Sequence, residues 1–174
     1  NSQNICFGII VNSVRVILLL GSNLGDRLNN FLKAINLIQE RVGNVLRKSS
    51  VYETEPWQMN SSLRFLNQAL MIQTSLTASE TMNKLKVIER EMGRTSTLHY
   101  TDRIIDLDIA FWGTEVIEEK DLQIPHPRIH LRKFALVPLE ELDPLWIHPT
   151  LNCTVQELLR SCQDISNVEL FRHA

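Results

Sequence analysis

Apolar residues recur along this chain with two different periods, and the switches between them lay out the fold. Val14 to Leu20 is a short apolar run rich in β-branched residues, closed by the turn residues Gly21, Ser22 and Asn23. It reads as a buried strand. After Asp26 the apolar positions Leu28, Phe31, Leu32, Ile35, Ile38 and Val42 repeat at helical spacing, and Gly43 supplies the stop. Val45 to Thr54 and Phe65 to Thr74 return to strand character, separated by a loop with Pro56, Asn60, Ser61 and Ser62. Thr77 with Glu80 is a capping box opening a helix whose stripe is Met82, Leu85, Ile88 and Met92, closed by Gly93. The polar stretch Thr95 to Asp102 has no periodicity. It leads into Arg103-Ile-Ile-Asp-Leu-Asp-Ile-Ala-Phe-Trp112, with Gly113 and Thr114 predicting a hairpin into Val116 and Ile117. Pro125 and Pro127 exclude a helix interior between them, a short helix is expected within Leu131 to Leu142, and Thr154 with Glu157 caps a last helix. The order strand–helix–strand, strand–helix–strand predicts an α+β, ferredoxin-like antiparallel sheet with helices on one face, a single-domain sandwich. The domain is expected over residues 14–165, with residues 1–13 an upstream extension or a cloning remnant.

Charge narrows the partners. Eighteen Lys and Arg stand against twenty Asp and Glu, for a net charge of -2. This lacks the basic excess of a nucleic-acid binder and leaves small acidic molecules as ligands. No apolar run reaches membrane-span length, and residues 1–13 carry no basic n-region or clear cleavage site. Cys6, Cys153 and Cys162 form neither a CxxC pair nor a zinc pattern, so free thiols in a reducing compartment are expected. A cytoplasmic monomer, without nucleic acid or membrane, is the expectation.

The candidate chemistry lies at Asp106 and Asp108. Strand alternation puts Ile105, Leu107, Ile109 and Phe111 on one face and both aspartates on the other, with Ile104 and Ala110. Two carboxylates one strand repeat apart, roughly 7 Å, repel unless something compensates them. A hard divalent ion such as magnesium suits such a pair together with phosphate oxygens. The plain alternative is the solvated face of a half-exposed strand, although aspartate is disfavoured in strands. Arg94 and Arg103 flank the pair across the aperiodic loop, and guanidinium forks are suited to phosphate.

Four segments in order carry a family resemblance: Gly21-Ser-Asn-Leu-Gly-Asp26; Tyr52-Glu-Thr-Glu-Pro-Trp57 with Phe65-Leu-Asn67; Glu89 to Arg94 with Arg103-Ile-Ile-Asp-Leu-Asp108; and Ile124-Pro-His-Pro-Arg128 with Arg132, Phe134 and Pro138-Leu139. Together they resemble the hydroxymethyl-dihydropterin pyrophosphokinases over roughly Val14 to Gln163. The resemblance implies transfer of a diphosphate from ATP to 6-hydroxymethyl-7,8-dihydropterin in folate biosynthesis. It implies that Asp106 and Asp108 hold two Mg2+ ions bridging the ATP phosphates and that Arg94 and Arg103 contact the transferring diphosphate. His126 and Arg132 would bind the nucleotide, with Glu89 and Ile109 lining its site. Phe65 and Phe134 would sandwich the pterin, Asn67 would hydrogen-bond it, and backbone around Thr54 and Trp57 would add to that edge. Without the motifs, Phe65 and Phe134 read as core residues.

The chain also departs from the family pattern. Tyr100-Thr-Asp-Arg103 stands where many relatives have Trp-Gly-Pro-Arg, and Thr95 to His99 lacks additional basic residues often found there. No dedicated base stands out; Lys86 and His99 are the nearest in sequence. Thr95 to Asp102 is expected to close over bound substrates. Two rival readings follow: a nucleic-acid module on the same fold, disfavoured by aspartates on the strand that would face phosphate, and a weakened homologue that binds pterin or nucleotide without efficient transfer.

Overall fold

The structure, a computed structural model, describes residues 13–56, 61–94 and 101–172. Among them, β1 (Val14–Ser22), α1 (Arg27–Arg41), β2 (Asn44–Lys48), β3 (Tyr52–Thr54), β4 (Phe65–Thr74), α2 (Ala78–Glu91) and β5 (Asp106–Trp112) make the predicted double unit. After it come β6 (Ile117–Glu119), β7 (Leu122–Ile124), a 3-10 turn (Ile129–Leu131), α3 (Lys133–Leu142), α4 (Val155–Ser161) and β8 (Val168–Leu170). The main sheet runs β5-β1-β4-β3-β8 with β2 also on β4. Pairing is antiparallel throughout. This is the ferredoxin-like arrangement, with β1 and β4 central. No helix among the described residues is long and apolar enough to cross a membrane.

Helices cover both sheet faces, not one. Leu66, Leu70 and Ile72 of β4 join Leu18 and Leu20 of β1 in a core with Phe31 and Ile38 of α1 and Leu85 and Ile88 of α2. On the opposite face Ala69 and Met71 join Ile17 under Ala135, Leu139 and Leu142 of α3 and Val155 of α4. β4 is therefore buried along almost its whole length, as expected of a strand packed on both sides. Truncating a fully buried leucine such as Leu70 costs about 2–5 kcal/mol through lost burial and the cavity left behind.

Local chemistry sets the ends of the elements. Asp26 caps α1 by accepting from Asn29 N at 3.0 Å, and Thr77 with Glu80 forms the expected capping box on α2. The two helix-ending glycines act for different reasons. Gly93 has φ +97, a left-handed conformation that side chains resist, whereas a Cβ on Gly43 would lie 2.6 Å from the carbonyl oxygen of Gln73.

Three further sequence readings need correction. Val45 to Thr54 is two strands, with the ladder interrupted at Ser49: its Oγ accepts the Ala69 amide at 2.9 Å, a place a ladder carbonyl would take. A register shift at Ile17/Leu18 skips Ala110, pairing Leu18 with Ile109 and Ile17 with Phe111. Phe111 thus turns to the α3 face, away from Leu107 and Ile109. Finally, Trp112 and Glu115 form only an isolated bridge, and the hairpin pairs β6 with β7 instead.

Candidate active site

Strand register brings the predicted residues to one end of the α3 face. Gly21 pairs with Asn67 of β4 on one side and Asp106 of β5 on the other. Neighbouring strands lie about 4.8 Å apart, so Asn67 and Asp106 stand roughly 10 Å apart across a glycine. Alternation adds Phe65 beside Asn67 and Asp108 beside Asp106 on that face. Phe134 of α3 and Arg132 just before it form the opposite wall. A cavity of about 230 Å3 opens between them, and Thr54, Phe65, Asn67, Arg94, Arg103, Asp106, Asp108, His126, Arg132 and Phe134 all line it. A second groove of about 390 Å3 shares Asp108 and His126 and has Ile109 on its wall. Glu89 lines neither and is 2% exposed. Trp57, Tyr100 and residues 95–99 lie outside the described residues.

The two aspartates have unlike surroundings. Asp106 takes Arg94 at 2.5 Å on one oxygen and Arg103 at 2.9 Å on the other. Burial opposes its ionisation, but the charges of Arg103, Arg94 and Lys86 with the Arg94 hydrogen bond hold the carboxyl below its usual range. Asp108 faces Lys86 at 4.0 Å. Burial, and then the charge of Asp106, push its pKa up to about 6. Oxygen donors on one face, one of them undercompensated and both open to a cavity, fit a hard divalent cation. No cluster of three or more such ligands occurs among the described residues, so water or phosphate oxygens would complete the shell.

The raised pKa gives a signed expectation. A carboxyl that binds its proton more tightly folded than unfolded loses stability as pH rises from about 3.8 to about 6. Without metal, Asp108→Asn should therefore stabilise the fold above pH 6, by about 1 kcal/mol after solvent screening of a side chain one-third exposed. The difference should vanish near pH 3.5. Urea melts in EDTA at several pH values read this directly; a less stable variant at pH 8 contradicts it.

The loop after β1 fixes the other edge of the site. Asn23 accepts the Arg103 amide through Oδ1 at 2.7 Å and donates through Nδ2 to Asp102 at 2.7 Å. The backbone amides of Asn23 and Leu24 both donate to the Arg103 carbonyl, and Asn30 Nδ2 donates to that of Ile104. Arg103 is thereby anchored by its own backbone, while its Nε donates to the Thr101 carbonyl at 2.9 Å.

On the side of Phe65 and Phe134, Asn67 Nδ2 donates to Thr54 Oγ1 at 2.8 Å, orienting the amide along the cavity. The Arg132 guanidinium lies 5.7 Å from the Phe134 ring centroid, a cation–π distance. His126 is held neutral: burial, then Arg132 and Arg128, lower its pKa to about 4. Its Nδ1 accepts the Arg128 amide at 3.2 Å, which assigns the proton to Nε2 and makes that atom a donor.

Residues 17–144 match the model of the 7,8-dihydro-6-hydroxymethylpterin-pyrophosphokinase family. The chain belongs to this pyrophosphokinase family. A 2-amino-4-hydroxy-6-hydroxymethyldihydropteridine pyrophosphokinase of Aquifex aeolicus is 39% identical over 138 residues, 79% of this chain and 86% of the relative. The mitochondrial folate synthesis bifunctional protein of Pisum sativum is 42% identical over 127 residues, 73% of this chain. The chain spans 25% of the length of that bifunctional relative. In fold it is similar to the Plasmodium falciparum HPPK-DHPS crystal structure with pteroate, at TM-score 0.72, 18% identity, 86% of this chain and 42% of the other.

Sequence reasoning has Asn23 and Arg128 within motifs and Lys86 as a nearby basic group, but gives none of them the place beside the site that the structure shows. Asn23 was visible only as part of a turn and its motif, and its hold on Arg103 spans 80 residues of sequence. Arg128 lines the cavity beside His126. Lys86, with Glu89, reaches β5 from α2. The i,i+3 spacing of Lys86 and Glu89 on one helix face was the available signal.

Proposed function

We propose that the chain transfers the diphosphate of ATP to the hydroxymethyl group of 6-hydroxymethyl-7,8-dihydropterin, releasing AMP, as a step of folate biosynthesis. The register of Gly21 supports this reading: it sets Asn67 with Phe65 and the Asp106–Asp108 pair side by side in one cavity. The pterin lies between Phe65 and Phe134, where offset stacking holds a flat heteroaromatic ring, with Asn67 on its amide-like edge. The nucleotide extends past Asp108 and His126 along the second groove towards Ile109, with Arg132 at its phosphates. Asp106 and Asp108 would hold two Mg2+ ions, which when bound supply charge neutralisation of the phosphates.

Attack by the hydroxymethyl oxygen on the β-phosphorus forms one P–O bond, breaks the bond to the oxygen shared with the α-phosphorus, and frees one proton and AMP. Arg94 and Arg103 already converge on Asp106, and their remaining N–H groups meet charge that develops between β-phosphorus and leaving group. Glu89 holds Arg94 at 2.6 Å from within the core and so acts as a positioning residue rather than a lining one. A cytosolic monomer acting on two small molecules, without nucleic acid or membrane, is the simplest assembly this reading needs.

A coupled assay for AMP tests the proposal: formation should require both ATP and the pterin, and AMP formed equally without the pterin would refute it. Binding tests the ring site separately. Phe134→Ala and Asn67→Ala should each weaken pterin binding about tenfold, through loss of stacking or of an orienting amide. ATP affinity should change by less than about twofold in Asn67→Ala, and in Phe134→Ala, which also removes the ring beside Arg132, by less than pterin affinity does. Titration calorimetry with each ligand alone measures both; an equal loss of ATP affinity would remove the assignment.

A further inference from the structure

The edge of β5 away from β1 is closed, at Leu107, by side chains of α2. Leu107 sits between the two aspartates and donates its amide to Glu89 Oε1 at 2.7 Å. Its carbonyl accepts from Lys86 Nζ at 3.3 Å. The helix thus supplies both the acceptor and the donor that a further strand would have offered there. Lys86 and Glu89 are themselves paired at 3.0 Å. Glu89 is hidden, but Lys86 is 41% exposed, lines the cavity, and lies 4.0 Å from Asp108.

This arrangement does more than cap an edge. Glu89 and the Leu107 backbone would be satisfied by a neutral donor of similar reach, yet the side chain present carries a positive charge to the less compensated aspartate. Asp106 has two arginines within 3 Å, whereas Asp108 has an ammonium at contact's outer limit. A divalent cation arriving at Asp108 would meet that ammonium only a few ångströms away, where like charges repel appreciably even in a wet site.

We propose that Lys86 is a positioning residue of the metal site: it fixes the strand between the aspartates and serves as the resident countercharge at Asp108 with which an entering divalent cation competes. The inference rests on the metal reading of Asp106 and Asp108. It makes cation loading weak in the free chain and favours loading together with nucleotide phosphates, whose negative charge offsets the ammonium.

Mn2+ titration of the whole chain without nucleotide, followed by electron paramagnetic resonance, tests this apart from turnover. Lys86→Gln keeps a donor for the Leu107 carbonyl and removes the charge, so Mn2+ should bind about tenfold more tightly. Lys86→Arg keeps the charge and should bind Mn2+ as the native chain does. Asp108→Asn should abolish the site. Amide exchange at Leu107 checks that the strand is intact, and Lys86→Met stands in as the neutral variant if the glutamine chain does not fold. Equal or weaker Mn2+ binding by the neutral variant, or equal tightening by the arginine variant, would overturn the inference while the loss in Asp108→Asn upheld the metal reading. Native binding insensitive to Asp108→Asn would overturn both.

Discussion

Replacing Asp106 or Asp108 by alanine should lower turnover by well over about a hundredfold while the chain stays folded. On the proposed mechanism each substitution removes an oxygen donor from the site at which phosphate charge is neutralised. Both side chains face the cavity and are only partly covered, at 24% and 35% exposure, so neither change opens a hole in a core. The two variants should nevertheless differ. Asp106 is the shared partner of Arg94 and Arg103, so its removal leaves Arg94 held by Glu89 alone and Arg103 by the Thr101 carbonyl, whereas Asp108→Ala leaves both aspartate pairs intact. Steady-state kinetics with a Mg2+ series, alongside circular dichroism, measures this. Near-normal activity with unchanged metal dependence in both variants would remove the aspartates from the mechanism.

Arg103→Ala should cost about a hundredfold or more in kcat, the scale found when one pre-set donor to developing charge is removed. Arg103 is positioned for that role by unusual means. Its backbone is clasped by Asn23 and Leu24, so the side chain is presented from a fixed point at the foot of the segment entering β5. Arg103→Lys should recover less than about tenfold, because a lysine restores charge without the planar fork. Asp106 keeps Arg94 in either variant, which preserves the fold. Pre-steady-state and steady-state rates for the three chains check the order; an alanine variant within about threefold of native would mean that Arg94 alone meets the phosphates.

Much of this site was legible in the sequence because its residues lie on regular elements. Asp106 and Asp108 occupy alternate positions of a strand, and a period of two places them on one face before any coordinates exist, whereas Phe65 and Asn67 were picked out only by the motif resemblance. The capping boxes at Thr77 and Thr154 likewise state their helix starts locally. What remained hidden depends on contacts between distant segments. Nothing near Phe111 announces the bulge that turns it to the other face, since the bulge answers the register of β1. β8 contains the short, half-polar Val-Glu-Leu, and it exists as a strand by pairing with β3, more than a hundred residues earlier. A short helix was expected within Leu131 to Leu142, but with Pro138 inside it nothing local said that α3 would cover the second face of the sheet. The Lys86–Glu89 hold on Leu107 joins a helix face to a strand edge, a relation that neither period encodes.

The most direct measurement is a 31P nuclear magnetic resonance time course of the chain with ATP, Mg2+ and 6-hydroxymethyl-7,8-dihydropterin. The account predicts that ATP signals fall as AMP and a pterin-linked diphosphate, two coupled phosphorus resonances, rise in equal amounts. Appearance of ADP with a single pterin-linked phosphate, or of free pyrophosphate with unmodified pterin, would contradict it.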